Sequence, residues 1–404
     1  MAAPPFRLLS PVGLACLIVF LHYVGAYMRM PLLPLYARAG GAGTGQVGLM
    51  MGAFMVVAAA TAVPGGVLAD RFGRRRLIVA GVALSAATSF ALPLRQEVLF
   101  LAGILAVAGG AMAAFTPAVM AYIGEVGGAE HAGRAYGWYT TALYGGLSLG
   151  PALGGMAADF IGFRFAFLAS GAVLLASFGL AAGGLPERRG ASSRVLRDRS
   201  IAGSGMPALP VGVGVLLVAR DPMVLACWGA MFCLTFAWGV LLAFLPLYAQ
   251  DLGFSRRAIG ALFGLQALCN MGVRAPVGYL SDRLGVRAPF ITTGMLAFAA
   301  AAAAIPALKE TLTLGAAVAM TGVAQGIGAV ATGAALGEST EASVRGAAMG
   351  GYSMALYAGM AAGSLLVGPV IAAAGFGVGF GVAAALLALG AAAFHGVAGR
   401  RRPA

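Results

Sequence analysis

Gly66-Val67-Leu68-Ala69-Asp70-Arg71-Phe72-Gly73-Arg74-Arg75-Arg76 is a short charged stretch that reads as a hairpin between two long apolar segments. A shortened echo, Gly278-Tyr279-Leu280-Ser281-Asp282-Arg283-Leu284-Gly285-Val286-Arg287, follows 212 residues later. The same offset of 212 separates Pro34-Leu35-Tyr36-Ala37 from Pro246-Leu247-Tyr248-Ala249, and Pro64 from Pro276. Ala142-Leu143-Tyr144 and Ala355-Leu356-Tyr357 are 213 apart. One repeated tetrapeptide means little. Several matches at nearly one offset, each at an equivalent depth in an apolar run, mark an internal duplication. Parallel repeats of this kind imply two helix bundles related by an axis along the membrane normal.

Composition decides the class. Of 404 residues, 60% are hydrophobic and 10% charged, against about a quarter charged in an average soluble domain. Such a chain lacks the residues to cover a soluble surface. Its apolar runs recur at about 20 residues, the length of helix that crosses a bilayer core. The 63 glycines suit membrane helices better than soluble ones. The runs predict spans near 12–36, 46–67, 77–94, 98–122, 137–157 and 163–183, and then near 223–249, 258–279, 290–307, 312–336, 347–372 and 376–398. The fold class is therefore an all-α integral membrane protein with 12 transmembrane helices in two parallel-repeat six-helix bundles. Residues 1–184 form the first bundle and 222–404 the second. Residues 185–221 are a hydrophilic connection, whose apolar patch Val211–Ala219 suits an interfacial helix. The run that begins near Pro11 is too long for a signal-peptide core and reads as the first span.

Charge orients the spans. The net charge is +13, with Lys309 the one lysine. The arginines are dispersed between apolar runs with no nucleic-acid-binding motif, so attraction to anionic lipid headgroups is the simpler reading. With both termini cytoplasmic, 18 of the 26 Lys and Arg residues fall in cytoplasmic segments, as the positive-inside rule requires. The expected location is a plasma membrane of the bacterial inner-membrane type. Cys16, Cys227, Cys233 and Cys269 lie within apolar runs and show neither metal-ligand spacing nor a disulfide framework. No metal or cofactor is expected.

Few polar residues are placed to meet a substrate. No Asp or Glu lies in the middle of a span, so the carboxylate that would recognise a cationic compound is missing. His22 lies near the middle of the first span, where imidazole permits proton exchange near neutrality. The alternative is a neutral, packed histidine. Arg29, seven residues on, shares its broad face and is either a substrate contact or a snorkelling cation. Tyr23 and Tyr27 lie beside them. Gln266, Asn270 and Arg274 form one stripe at four-residue spacing. Gln266 and Asn270 are the deeper cavity candidates, and Arg274 reads as packing or snorkelling near the charged turn. Trp238 is placed to stack on a ligand or in a core. Tyr144 and Tyr357 occupy related positions and suit ligand contact or structural hydrogen bonding.

The charged stretch resembles the loop 2–3 signature of the major facilitator superfamily. Gly66, Asp70, Arg71, Gly73, Arg74 and Arg75 occupy its positions, and Gly278, Asp282, Arg283, Gly285 and Arg287 their second-half counterparts. The resemblance covers essentially the whole chain. It implies that Asp70 helps hold the two bundles closed on the cytoplasmic side, with Arg71, Arg74, Arg75, Glu125, Arg134, Glu338 and Arg345 as the surrounding polar material. Gly146-Leu147-Ser148-Leu149-Gly150-Pro151-Ala152-Leu153-Gly154-Gly155 is similar to a signature of family exporters, notably drug–proton antiporters. Gly146, Gly150 and Gly154 share a face for close helix contact, and Pro151 removes an amide hydrogen where a gate would bend. The second half keeps Gly359 and Gly363 but has Ser364 in place of the proline. The arginine that drug–proton antiporters carry in helix 4 is absent, since counting back four from Gly110 and Gly109 gives Ala106 and Leu105. The resemblance implies secondary active export of small amphipathic compounds or drugs by a monomer, with proton antiport as the default coupling. A sugar, organic-anion or other metabolite transporter of the same fold is the alternative. A non-transporting sensor or scaffold is a more distant one, and no enzyme activity is expected.

Overall fold

Three helices start at side-chain caps that are legible in the sequence. Ser10 Oγ accepts from the Gly13 amide at 3.1 Å, Asp221 Oδ1 from Met223 at 2.8 Å and Ser255 Oγ from Ala258 at 3.2 Å. Each satisfies an orphan donor of the first turn, and Pro11 and Pro222 occupy the first helical position, where no amide is needed. The computed structural model describes residues 10–128, 131–186, 218–341 and 344–399, without the side chains of 62–63, 65–67, 69–71, 132 and 345. The interfacial helix expected at Val211–Ala219 lies, but for its last two residues, outside the described residues.

The helices are α1 (Pro11–Arg29), α2 (Leu32–Ala39), α3 (Thr44–Phe72), α4 (Arg74–Ala91), α5 (Val98–Gly127) and α6 (Ala132–Gly184) in the first half. The second half holds α7 (Pro222–Asp251), α8 (Arg256–Leu284), α9 (Ala288–Ala304), α10 (Thr311–Ser339) and α11 (Arg345–Gly399). Among the described residues ten helical stretches, with α1 and α2 counted as one, are long and apolar enough to cross a membrane. That is fewer than the twelve separate spans expected. The difference lies in α6 and α11, which run for 53 and 55 residues through a non-helical glycine, Gly162 (φ 80°, ψ 168°) and Gly375 (φ 84°, ψ 171°). The expected break at 158–162 is thus a single residue, in a conformation that essentially only glycine adopts. Two further readings are corrected. The first span is divided at Met30–Pro31, where proline interrupts the amide ladder. The charged stretch is not a hairpin loop: α3 stays helical through Phe72, Gly73 turns at φ 93°, and α4 begins at Arg74.

The duplication is visible in the backbone. Positive-φ glycines come in pairs at the sequence offset: Gly41 with Gly253, Gly73 with Gly285, and Gly162 with Gly375. An aromatic triad does the same. Tyr36 packs on Phe163 and Phe167 at ring distances of 5.6 and 5.0 Å. Tyr248 packs on Phe376 and Phe380 at 5.6 and 5.8 Å with nearly the same tilts. Each triad fastens the first span of a half to the helix that follows the glycine turn.

The two ends of the molecule differ. At the end that carries Gly162 and Gly375, the halves touch through glycines. A methyl on Gly260 of α8 would overlap the Pro151 carbonyl of α6 and sit 3.0 Å from Gly155 Cα. A methyl on Gly368 of α11 would sit 3.1 Å from Gly45 Cα of α3, and one on Gly48 would overlap the Ser364 carbonyl. Thr44 Oγ1 donates to the Gly368 carbonyl at 3.3 Å. Arg256 on α8 donates to the Ala158 carbonyl at 2.8 Å and lies 4.2 Å over the Phe163 ring. Arg38 pairs with Asp251 at 2.8 Å across the halves. Both partners are more than a third exposed, so that pair contributes about 0–1 kcal/mol, and the backbone crossings hold this end. At the other end, which carries Gly73 and Gly285, the first turns of α6 are exposed, with Tyr136 and Trp138 at the surface. Midway along α3 and α11, next to the Gly48–Ser364 crossing, lies a shallow apolar groove lined by Val56, Ala59, Ala60, Met354, Leu365 and Leu366.

Inside the first half, two charge-bearing side chains are sealed. His22 is fully buried and stacks on Phe115 at 3.8 Å, and neither ring nitrogen has a hydrogen-bond partner. Arg29, 2% exposed, turns away from lipid into a hydroxyl cage. Its Nη1 donates to Ser89 Oγ at 2.7 Å, Thr88 Oγ1 at 2.9 Å and the Ser85 carbonyl at 3.4 Å. Ser89 and Ser170 exchange a hydrogen bond at 3.2 Å, and Ser170 donates to the Gly25 carbonyl at 2.7 Å. The arginine thus ties α1, α4 and α6 together.

Two substitutions test these features. Gly162→Ala places a side chain in a glycine-only conformation at a cost of order 1–3 kcal/mol. It is expected to lower the melting temperature in detergent, whereas Gly179→Ala, where a methyl meets open space, leaves it equal or higher. His22→Leu exchanges two unpartnered nitrogens, each a burden of about 1–3 kcal/mol, for a side chain of similar size. Its melting temperature should match or exceed that of the unaltered protein, and a drop of several degrees would show that the imidazole has partners after all.

Candidate functional site

The break at Met30–Pro31, Pro151 of α6 and the polar stripe on α8 meet at a cavity between the halves. The first half supplies Tyr27, Met30 and Pro31 from the α1–α2 junction and Tyr144, Leu147 and Pro151 from α6. The second half supplies Met231, Thr235, Trp238 and Leu242 from α7 and the stripe from α8. Gln325 and Ala329 of α10 and Leu356 and Met360 of α11 complete the wall. A small compound held in such a site meets mostly apolar wall and a few fixed polar groups.

The polar groups form one chain. Gln325 Oε1 accepts from Gln266 Nε2 at 2.9 Å and from Asn270 Nδ2 at 3.1 Å. Asn270 Oδ1 in turn accepts from Arg274 Nε at 2.9 Å. The Arg274 guanidinium lies 4.4 Å over the Tyr144 ring, so a cation–π contact joins α8 to α6 across the two halves. Among the described residues lining the cavity, Arg274 is the one that is charged, and no carboxylate accompanies it. Trp238 meets Phe263 edge-on at 6.1 Å and adds an aromatic wall.

Of the residues singled out in the sequence, Tyr27, Tyr144, Trp238, Gln266 and Asn270 converge on this cavity. His22, Tyr23, Arg29 and Tyr357 do not line it. Tyr23 hydrogen-bonds Thr116 at 3.1 Å, and Tyr357 packs partly buried against the core. Sequence reasoning passed over Gln325, although a glutamine amid the apolar α10 was a signal. It read Arg274 as an end-of-helix cation, whereas its stripe partner Asn270 and Tyr144 hold it at the cavity. The glycine-proline signature divides between two neighbours. Methyls on Gly146 and Gly150 would meet Tyr23 Cβ at 2.6 Å and the Val24 carbonyl at 2.7 Å, and one on Gly154 would overlap the Met28 backbone, all on α1. Gly155 instead faces α8, where a methyl would lie 3.0 Å from Gly260 Cα.

The charged turns hold ion pairs within each half. Arg74 meets Glu125 at 2.9 Å, and Arg75 donates to the Ala182 carbonyl. In the second half Arg287 bridges Glu338 at 2.7 Å and Asp282, and also donates to Ser281. Glu338 first, then Asp282, holds its guanidinium pKa above the ordinary value. Gly278 lies inside α8, Gly285 caps it in the left-handed conformation, and Arg283 and Arg134 are exposed. The side chains of Gly66, Asp70, Arg71 and Arg345 lie outside the described residues. Among the described residues no cluster of His, Cys, Asp or Glu is built to hold a metal ion.

Comparison with known proteins agrees with this architecture. Solved structures of the same fold include the nucleoside transporter NupG, with a TM-score of 0.76 at 12% identity over 96% of this chain and 98% of that one. A bacterial homologue of the human lysosomal transporter Spinster, inward-facing and occupied, gives 0.79 at 15% identity over 98% of each chain. Sequence relatives include Multidrug resistance protein 2 of Bacillus subtilis, 28% identical over 160 residues, and the quinolone resistance protein NorA of Staphylococcus aureus, 28% identical over 163. These alignments span 39% and 40% of this chain and only 39% and 41% of the relatives' own lengths. The family model for the Major Facilitator Superfamily matches residues 15–255 and 227–404, nearly the entire sequence, and the chain belongs to that superfamily.

Proposed function

We propose that the protein is a secondary active transporter that carries a small amphipathic compound through the interfacial cavity by alternating access. The observation that carries this reading is the cavity itself, closed at one end by glycine crossings between α3 and α11 and between α6 and α8, with the first turns of α6 exposed at the other. Such a site opens to the second side if the halves rock about it. Counted through the turns at Gly162 and Gly375, the chain makes twelve passes, with domains of 1–184 and 222–404 joined by 185–221. The excess of arginine at the Gly73 end makes that end cytoplasmic, which puts the glycine crossings on the outward side. Asp70, Arg71 and Arg345 complete a cytoplasmic gate with the Arg74–Glu125 and Arg287–Glu338 pairs, in line with the resemblance of the signature.

Export is the preferred direction. It is supported by the glycine-proline signature on α6 and by likeness to proteins named for multidrug and quinolone resistance. Proton antiport is the coupling to test first. A metabolite transporter of the same fold is the second reading, favoured by a lone arginine in the cavity where a cation-specific exporter would use a carboxylate.

Purified protein in proteoliposomes gives the test. Flux of amphipathic candidates should follow an imposed proton, sodium or voltage gradient, and Met360→Trp, which fills the cavity, should reduce that flux about tenfold or more, a loss of roughly 1.4 kcal/mol of binding. Undiminished flux through Met360→Trp, or no gradient-driven flux at all, would remove the cavity from the transport path.

A further inference from the structure

We infer that the compound held in the cavity carries an anionic head group of the carboxylate class, seated on the terminal nitrogens of Arg274. This deepens the transporter reading and rests on it. Arg274 is aimed rather than merely present. Asn270 holds its Nε from one edge at 2.9 Å, and Tyr144 supports its flat face at 4.4 Å. Gln325 fixes Asn270 in turn. Among the described residues, Nε is the one Arg274 nitrogen with a hydrogen-bond partner. The two Nη groups are therefore left open, and their planar fork matches a carboxylate bidentately.

Charge balance points the same way. Arg274 is half-buried beside an apolar wall, and among the described residues no acid lines the same cavity, so the cavity carries an unbalanced positive charge. Arg29 meets its hydroxyl partners through Nη1 alone, with Nε buried and unpartnered, and does not line the cavity. Arg274 has no such hydroxyl partners, and a bound anion supplies what it lacks. The remaining wall, with Met30, Trp238, Leu242 and Phe263, takes the apolar body. Because Arg274 and Tyr144 belong to different halves, the anion docks where the halves meet.

Three probes with one apolar body test the assignment: phenylbutanoate, phenylbutanamide and phenylbutylammonium, titrated calorimetrically into the purified full chain. The carboxylate should bind about tenfold or more tightly than the amide, because its hydrogen bonds to the guanidinium are charge-assisted, and the ammonium most weakly. Arg274→Gln should abolish the preference. Arg274→Lys should retain part of it, since the charge survives without the fork. Tyr144→Leu, which removes the aromatic support, should weaken it through a second element. An ammonium that binds as well as the carboxylate, a preference that survives Arg274→Gln, or no binding of any probe overturns the anion assignment. Met360→Trp separates the two levels. If it displaces all three probes while they bind alike, the cavity reading stands and only the charge assignment falls. If carboxylate binding persists unchanged in Met360→Trp, the cavity is not the site and both fall.

Discussion

The close approach of backbones at the Gly162 end is the constraint on which the rest depends. In an apolar solvent, burial of hydrophobic side chains gives helices little reason to associate, so van der Waals contact between small residues must do it. Gly260 against Pro151 and Gly155, and Gly48 and Gly368 against Ser364 and Gly45, supply that contact in two crossings. The crossings fix the separation of the halves at one end. The space left beyond them is the cavity.

Two arginines show how differently such a fold accommodates charge. Arg29 is sealed in the first half among serine and threonine hydroxyls, a structural tie with no path to the cavity. Arg274 is held on one edge and one face, with its fork left open. Hydroxyls on Nη1 give one cation fixed partners inside a single half, whereas an open fork leaves part of the compensation to a guest. That contrast is the basis of the proposed site chemistry. It separates this cavity from one designed around a carboxylate and a cationic drug.

Much of the fold was legible because duplication writes itself into sequence. The 212-residue offset located the paired turns, and the structure repeats it in positive-φ glycines and in the Tyr36 and Tyr248 triads. The twin breaks inside α6 and α11 were placed correctly, but their abruptness was not, because one glycine at φ near 80° does the work expected of a loop. The site was half legible. A four-residue stripe predicts which residues share a helix face, and Gln266 and Asn270 do line the cavity together. It says nothing about which face of which helix meets the partner half. His22 and Arg29 were therefore grouped with a cavity from which α1 turns them away, and Gln325 was missed because its partners lie 55 and 59 residues distant.

The central claim is that closure at one end and opening at the other are two aspects of one rigid-body arrangement. Distances between spin labels test it most directly. One pair at Leu94 and Leu312 would span the closed end and another at Thr140 and Leu284 the parted end, with the four native cysteines replaced. Gly260→Trp would then be introduced to obstruct the crossing of α6 and α8. The account predicts that the Leu94–Leu312 distance lengthens while the Thr140–Leu284 distance shortens. Lengthening at the closed end with no change, or with lengthening, at the other would contradict it.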